Sequence, residues 1–472
     1  MSHIDCDICI IGAGSGGLSV AAGAAQMGAR VVLVEKGEMG GDCLNRGCVP
    51  SKALLAAARQ AHAMTKGAEM GITPVAPEID FAAVKDHVAR AIATIAPVDS
   101  QERYEGFGVT VIREHARFTS PEEMRAGDTT IRARRFVLAT GSRPMVPPID
   151  GIEDTPYLTN ETIFDLRERP DHLLIIGGGP IGMEMAQAHR RLGSEVTVIE
   201  GAKALGKDDP ELAGRLLDML RGEGIRIEEG AKVTAVSGAH GAVAVETEKG
   251  RFEGTHLLMA VGREVVTEGL GLDMAHVKHG AKGIAVGNDL RSETNRRVYA
   301  VGDAAGGLMF THVAGYHAGV IIRSMLFGLP SKAKTAHIPW VTYTDPGLAQ
   351  VGLTEAQARK AHGDALEVIR ADYEDNDRAI AEGRTEGMLK LMAVRGRPVG
   401  ATILGAHADE LIGVWAIAIA SGTKLSKIAG AVLPYPSLGE INKRAAGNYF
   451  SSRLFGNEWV KTAVRAVQRW VP

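Results

Sequence analysis

Gly12-Ala13-Gly14-Ser15-Gly16-Gly17, behind the apolar run Ile8-Cys9-Ile10-Ile11, and Gly177-Gly178-Gly179-Pro180-Ile181-Gly182, behind Leu173-Leu174-Ile175-Ile176, decide the fold. Each reads as a buried strand, a tight turn and the start of a helix. The first helix is Ala-rich and runs to Gly28, and the strand Arg30 to Val34 then ends at Glu35; in the second copy the strand Glu195 to Ile199 ends at Glu200. Glu35 stands 18 residues after Gly17, and Glu200 stands 18 after Gly182. Each part answers a separate physical need. Gly12 and Gly177 make the turn, Gly14 and Gly179 let the backbone approach a pyrophosphate, and Gly17 and Gly182 let helix and strand pack closely. The helix N-terminus offers N–H groups and a positive dipole end to phosphates. Glu35 and Glu200 would accept hydrogen bonds from a ribose diol. A lone Gly-x-Gly-x-x-Gly is weak, but two equivalent βαβ units predict two dinucleotide sites. A carboxylate at Glu200 would repel a 2′-phosphate, which favours NADH over NADPH, with Lys203 the nearest opposing charge.

The rest of the chain is compatible with such a protein. Its 472 residues, 45% hydrophobic and 23% charged, correspond to about three folded domains. With 53 basic and 56 acidic residues the net charge is −3, which argues against nucleic acid and for small metabolites as partners. The start of the chain lacks a signal-peptide pattern and no run of about 20 apolar residues occurs, so a cytoplasmic location is expected. Phe136 to Leu138 and Leu257 to Met259 read as strands running into the turns Thr140-Gly141 and Gly262-Arg263, and Val298 to Val301 as another ending in Gly302-Asp303. From about Ile338 the texture becomes alternating strands and then helices from Ala408, an α+β module without a dinucleotide fingerprint.

All four cysteines fall within the first 48 residues, which is not a secreted disulfide scaffold. Cys43 and Cys48 lie in Gly40-Gly41-Asp42-Cys43-Leu44-Asn45-Arg46-Gly47-Cys48-Val49-Pro50-Ser51-Lys52, close enough to bridge if the turn between them brings their Cα atoms within about 7 Å. A zinc site would need third and fourth ligands that do not stand at suitable spacing, so no metal site is expected. Pro50 suits the first turn of a helix. Cys48 would then sit at a helix N-terminus, where the dipole favours a thiolate, and Lys52 one turn along on the same face. This is a predicted redox pair, whereas Cys6, at the edge of the first strand, and Cys9, within it, are expected to be buried.

With these motifs the chain resembles the FAD-dependent pyridine nucleotide-disulfide oxidoreductases, which include dihydrolipoamide dehydrogenase, glutathione reductase and mercuric reductase, from Cys9 to about Ala446. The resemblance implies an α/β fold of two Rossmann-like domains, for FAD and NAD, and a C-terminal α+β dimerisation domain. It divides the chain into 1–152 (FAD), 153–272 (NAD(P)), 273–336 (central segment with a second flavin motif), 337–450 (dimerisation) and a tail, 451–472. It implies a homodimer that passes electrons from NADH through FAD to a Cys43–Cys48 disulfide and on to a small-molecule or disulfide substrate. Cys43 resembles the interchange thiol and Cys48 the charge-transfer thiol. Lys52 and Glu184 match the family's ion pair near the flavin, and Asp303 the residue bonded to its ribityl chain. Ala116, Thr140, Gly141 and Gly262 are assigned to cofactor binding on the same ground.

The chain departs from that pattern at Leu433-Pro434-Tyr435-Pro436-Ser437-Leu438-Gly439-Glu440. Glu440 is in register with the family's glutamate, but Tyr435 stands where most members place a catalytic histidine. Mercuric reductases also carry a tyrosine there, together with a C-terminal cysteine pair that this chain lacks. A phenol near pH 10 is a poor proton shuttle at neutral pH. His312 and His317 each read either as a replacement base or, as a lone histidine on a helix more often is, as a structural residue. Three other activities stay open: metal-ion reduction without the second cysteine pair, a peripheral NADH:quinone dehydrogenase, and a low-turnover flavin redox sensor. In the tail, Lys461, Arg465 and Arg469 recur on one helical face, opposite Trp459, Ala463, Val467 and Trp470. Such a basic amphipathic helix can lie in a membrane interface or pack on its own subunit or across the dimer.

Overall fold

Strand β1 (Ser2–Ile11) runs parallel to β2 (Val31–Val34), with helix α1 (Ser15–Gln26) as the crossover between them. The computed structural model describes residues 2–471, the side chain of Ser452 excepted; Met1 and Pro472, the ends of the expected first and last segments, lie outside the described residues. β1 begins six residues ahead of the apolar run. A ten-residue partner, β6 (Thr129–Leu138), pairs with it from Ser2↔Thr129 to Ile11↔Leu138 and so extends it through polar positions that alternation alone does not mark.

The chain divides into two compact units, one of residues 1–177, 185–201 and 231–334, the other of 178–184, 202–230 and 335–472. In the first, β3 (Thr110–Ile112) lies outside β2, and β4 (Ala116–Ser120) and β5 (Glu123–Ala126) extend the sheet antiparallel beyond β6, giving the order β3-β2-β1-β6-β5-β4. The strand Val298–Ala300 adds parallel to the far half of β6. Because successive side chains of a strand point to opposite faces, Ile8, Ile10, Val31, Leu33 and Val137 feed one core while Cys9, Ile11, Val32, Val34, Phe136 and Leu138 feed the other. Cys6 and Cys9 are buried in the second core, and burial pushes the Cys6 thiol up to about 12 and Cys9 well above its ordinary value. The parallel register brings the carboxyl ends of β1, β6 and Val298–Ala300 to one edge, where ligands of open α/β sheets bind. The second βαβ unit repeats the plan, with His172–Ile176 between Glu195–Glu200 and His256–Met259, all parallel.

In the second unit, five antiparallel strands follow the order Pro339–Thr342, Gly347–Gly352, Arg397–Gly405, Met388–Val394, Leu366–Asp372. Their core closes on Trp415, fully buried, whose indole N–H donates to Asn442 Oδ1 at 2.7 Å. Lys390, also buried, meets Asp209, Glu211 and Glu355 at 2.7–3.0 Å. Three carboxylates around one ammonium compensate its desolvation, and removing Lys390 would leave the three clustered without the ammonium between them. Among the described residues no helix is long and apolar enough to cross a membrane.

His189, in the helix Pro180–Arg191, is fully buried; its Nδ1 lies 2.9 Å from Met185 O and so carries the proton, while Nε2 has no hydrogen-bond partner. Burial, reinforced by the charge of Lys85, lowers its pKa to about 4. The unfolded chain therefore takes up this proton first as pH falls, so the stability that the neutral ring contributes is complete above about 6.5 and is lost toward pH 4. At pH 5 the loss should be about 2 kcal/mol. Urea unfolding at pH 7 and pH 5 checks this: His189→Leu should flatten the pH dependence, and an unchanged slope would contradict it.

Candidate active site

The first glycine turn is built by close backbone approach. Gly12 has φ +103°, and a Cβ there would lie 2.3 Å from Ala139 O; one on Gly17 would lie 1.9 Å from Gly12 O. Gly14, the N-cap of α1, has no side chain to occupy the helix's first N–H groups. Glu35 is placed at the end of β2, where its Oε2 accepts the Ala13 N–H at 2.6 Å and its Oε1 the Gly37 N–H at 2.6 Å. Gly177 repeats the geometry of Gly12, with φ +113° and 2.4 Å from a Cβ to Ala260 O, and the space above Gly179 is open. Gly182 lies in the first turn of Pro180–Arg191, and Glu200 ends its strand as expected.

From this turn the chain leads directly to the cysteines. Gly40 donates its N–H to Ala13 O at 2.9 Å and pairs as an isolated bridge with Gly14, and a Cβ on Gly41 would lie 2.7 Å from Gly14 Cα. Both glycines have positive φ, 87° and 62°. The short helix α2 (Gly41–Asn45) then carries Cys43, and α3 (Cys48–Met64) opens on Cys48 with Pro50 and Lys52 in its first turns. The expected placement of Cys48 at a helix start, with Lys52 one turn along, is what the structure has.

Cys43 is half-buried and Cys48 exposed, both as free thiols. The Cys48 sulfur lies 3.3 Å from Thr311 Oγ1, at the start of the helix Thr311–Phe327. Its pKa falls to about 6, through a hydrogen bond from Cys43, with the Thr311 hydroxyl and the charge of Lys52 adding to it and burial and Asp42 opposing. The same hydrogen bond, with burial, pushes Cys43 up. One proton is thus held on Cys43 while Cys48 is a thiolate at neutral pH, the division of roles that an attacking and a stored sulfur require.

Asp303 follows Val298–Ala300 in the turn Gly302–Ala305, beside the end of β6. Its Oδ2 accepts from Ser142 Oγ at 2.5 Å, and burial raises its pKa. Arg263 holds this arrangement together: it donates to Ser142 Oγ at 2.7 Å and to Ser142 O at 2.8 Å, and lies 3.2 Å from Asp42 Oδ2. One guanidinium therefore ties the residue before Cys43 to the turn that presents Asp303. Thr140 gives its hydroxyl to Val266 O at 2.8 Å, and Gly141 and Gly262 take positive φ. The Ala116 side chain is in the core, leaving only its backbone for a ligand.

Of the two readings of the histidines, replacement base or structural residue, His317 takes the structural one. His317 is buried and its Nδ1 accepts the Gly302 N–H at 3.3 Å, so it supports the Asp303 turn, and burial lowers its pKa. His312 stacks on Phe310 with ring centroids 5.3 Å apart. Tyr435, Glu440 and Glu184 belong to the second unit. There Tyr435 is 70% exposed and donates to Asp377 Oδ2 at 2.7 Å, which raises its pKa; Glu440 opens the helix Glu440–Phe455; and Glu184, buried, accepts the Tyr343 N–H at 3.0 Å. Sequence reasoning missed Thr311, Ser142, Arg263 and Asp42 as partners. The only local signals were that Thr311 opens the helix after the Asp303 turn and that Arg263 closes a repeated strand-turn plan.

The thiolate balance gives a direct expectation. Alkylation of the reduced protein by iodoacetamide should rise with a midpoint near pH 6. Thr311→Val and Lys52→Met should each move that midpoint up, and Asp42→Asn down, by about half a unit to one unit. A midpoint near that of a free thiol in the parent protein would contradict the assignment.

The model of the pyridine nucleotide-disulphide oxidoreductases matches residues 6–318, and that of their dimerisation domain matches residues 338–446. A mercuric reductase from Streptomyces lividans is 34% identical over 95% of this chain and 97% of its own length. A dihydrolipoyl dehydrogenase from Thermus scotoductus is 35% identical over 93% and 96%. Among solved structures, the Cu(II) complex of the HOCl-induced flavoprotein disulfide reductase RclA from Escherichia coli superposes with a TM-score of 0.83 at 28% identity, covering 93% of this chain and 99% of that one. The α/β architecture, the glycine turns and the cysteine pair agree with these matches, and the chain belongs to the pyridine nucleotide-disulphide oxidoreductase family.

Proposed function

We propose that this protein uses NADH to reduce a disulfide or another thiol-reactive acceptor through Cys43 and Cys48. The observation that carries this reading is the pairing of a half-buried, protonated Cys43 with a Cys48 thiolate at a helix start, delivered by backbone contact to a dinucleotide turn. The residues fit the FAD on which the family depends. Gly12, Gly14 and Gly17 form a cradle, Glu35 stands at the ribose position, and Asp303 has one carboxylate oxygen engaged by Ser142 and a second to receive a ribityl hydroxyl. When bound, FAD supplies the two-electron link between nicotinamide and the sulfurs. NADH is the proposed donor because Glu200 ends the strand of the second βαβ unit with a carboxylate.

The protein's own part is thiol–disulfide exchange. Cys43, once deprotonated, attacks one sulfur of the acceptor RS–SR′; the S–S bond breaks, RS⁻ leaves and a mixed disulfide forms. The Cys48 thiolate then attacks the Cys43 sulfur, releasing R′S⁻ and leaving a Cys43–Cys48 disulfide that two electrons from NADH return to the dithiol. Tyr435, held protonated by Asp377, is suited to donating a proton rather than to removing one. A second acceptor class is favoured by the same pair: a soft metal ion, which two adjacent sulfurs with one thiolate would bind, in line with the names of the mercuric reductase relatives. The proposed assembly is a homodimer. In the matched dimerisation region Ile417 and Val432 are 71% and 94% exposed, a surface suited to a second copy. The cytoplasm is the proposed compartment, since four cysteines, all within the first 48 residues, make no secreted disulfide scaffold.

Cys43→Ser should lower NADH-dependent reduction of a small disulfide by at least about 100-fold with FAD retained. Undiminished disulfide reduction would refute the dithiol route. Quinone reduction that equals or exceeds the parent's disulfide rate and persists in Cys43→Ser would assign the enzyme to quinones, and slow turnover with every acceptor would assign it to redox sensing.

A further inference from the structure

The helix Glu458–Trp470 has no buried residue. Trp459 and Trp470 are 85% and 84% exposed, Val464, Val467 and Val471 are 51–61% exposed, and Leu454 and Phe455 at the end of the preceding helix continue the apolar surface at 48% and 73%. At 100° per residue Trp459, Ala463, Val467 and Trp470 share one face with Val460, Val464 and Val471, while Lys461, Arg465 and Arg469 occupy the opposite face. Packing on its own subunit, one of the sequence-based expectations, is therefore not what this helix does. It is nonetheless a defined element: Gly456 separates it from Glu440–Phe455, and Asn457 Oδ1 caps it by accepting the N–H groups of Trp459 and Val460 at 3.0 and 3.4 Å.

A free helix of this length is marginal in water, so an apolar face of two indoles and four valines needs a partner. We infer that this helix lies on an anionic lipid bilayer, with Trp459 and Trp470 at the headgroup level. Charge complementarity selects this occupant. The polar face carries three cations against the single carboxylate of Glu458, which bonds Lys461 at 2.8 Å and lies 3.7 Å from Arg465, in a chain whose total charge is −3. The two tryptophans, roughly 16 Å apart along the axis, stand on the same side at the two ends of the stripe. Indole pairs an apolar body with an N–H donor, which suits the boundary between acyl chains and headgroups. Valine and alanine between them give a shallow apolar ridge, the shape of an interfacial rather than a spanning helix.

The test uses the full-length, FAD-loaded protein and vesicles of phosphatidylcholine with and without roughly 30% phosphatidylglycerol. The parent should float with anionic vesicles, at least about 10-fold more tightly than with neutral ones, and should be released by salt. Lys461→Gln/Arg465→Gln/Arg469→Gln should weaken binding about 100-fold, on about fivefold per cation, and Trp459→Ala/Trp470→Ala should abolish it. Both variants should keep the parent's oligomeric state and its NADH-dependent disulfide reduction. No binding to anionic vesicles, or binding indifferent to charge, would overturn the inference. So would dissociation of the oligomer by the tryptophan substitutions, which would place the helix against a second copy.

Discussion

The close passage of Gly40 and Gly41 over Ala13 and Gly14 is the constraint on which the rest of the redox site depends. A backbone hydrogen bond of 2.9 Å and a Cα position that tolerates no side chain bind the cysteine-bearing segment to the turn that ends β1. Any larger residue at position 41 would push against Gly14 Cα, 2.7 Å from where its Cβ must go. Because that turn is itself fixed by the packing of Gly12 and Gly17 against backbone, the position of the two sulfurs is inherited from the sheet. That is the preorganisation a two-electron relay needs, since the reacting groups must be held rather than found.

Charge is distributed around the sulfurs by the same logic. The hydrogen bond from Cys43, the Thr311 hydroxyl and the charge of Lys52 all favour an anion at Cys48, while burial and Asp42 oppose it, and Asp42 is itself engaged by Arg263. The pair is asymmetric as a result, with the proton on Cys43. Arg263 links Asp42 through Ser142 to Asp303, so the sulfur side and the Asp303 turn share one part-buried hydrogen-bond network. Such networks rigidify when every member is satisfied.

Much of this was legible in the sequence because local rules dictate it. The glycine spacing and terminal acids specify βαβ turns, and Pro50 with Cys48 specifies a helix start; both are set by residues close together in the chain. What was not legible depends on contacts between distant segments. Thr311 meets Cys48 across 263 positions, and Ser142 meets Asp303 across 161, separations over which no periodicity carries information. The contact of His317 was hidden for the same reason: its helix could be foreseen, but not that its ring nitrogen would accept the Gly302 N–H. The strand β1 was longer than its apolar run because β6 extends it, a tertiary effect on a polar stretch.

The central claim is that electrons from NADH reach Cys43 and Cys48 and leave Cys48 as a thiolate. Anaerobic titration of the FAD-loaded protein with NADH, followed by absorbance, tests it most directly. The account requires a long-wavelength thiolate-to-flavin band that grows with the first equivalent of NADH, is lost as pH falls through about 6, and is absent in Cys48→Ser. Consumption of NADH with no such band at neutral pH would contradict it.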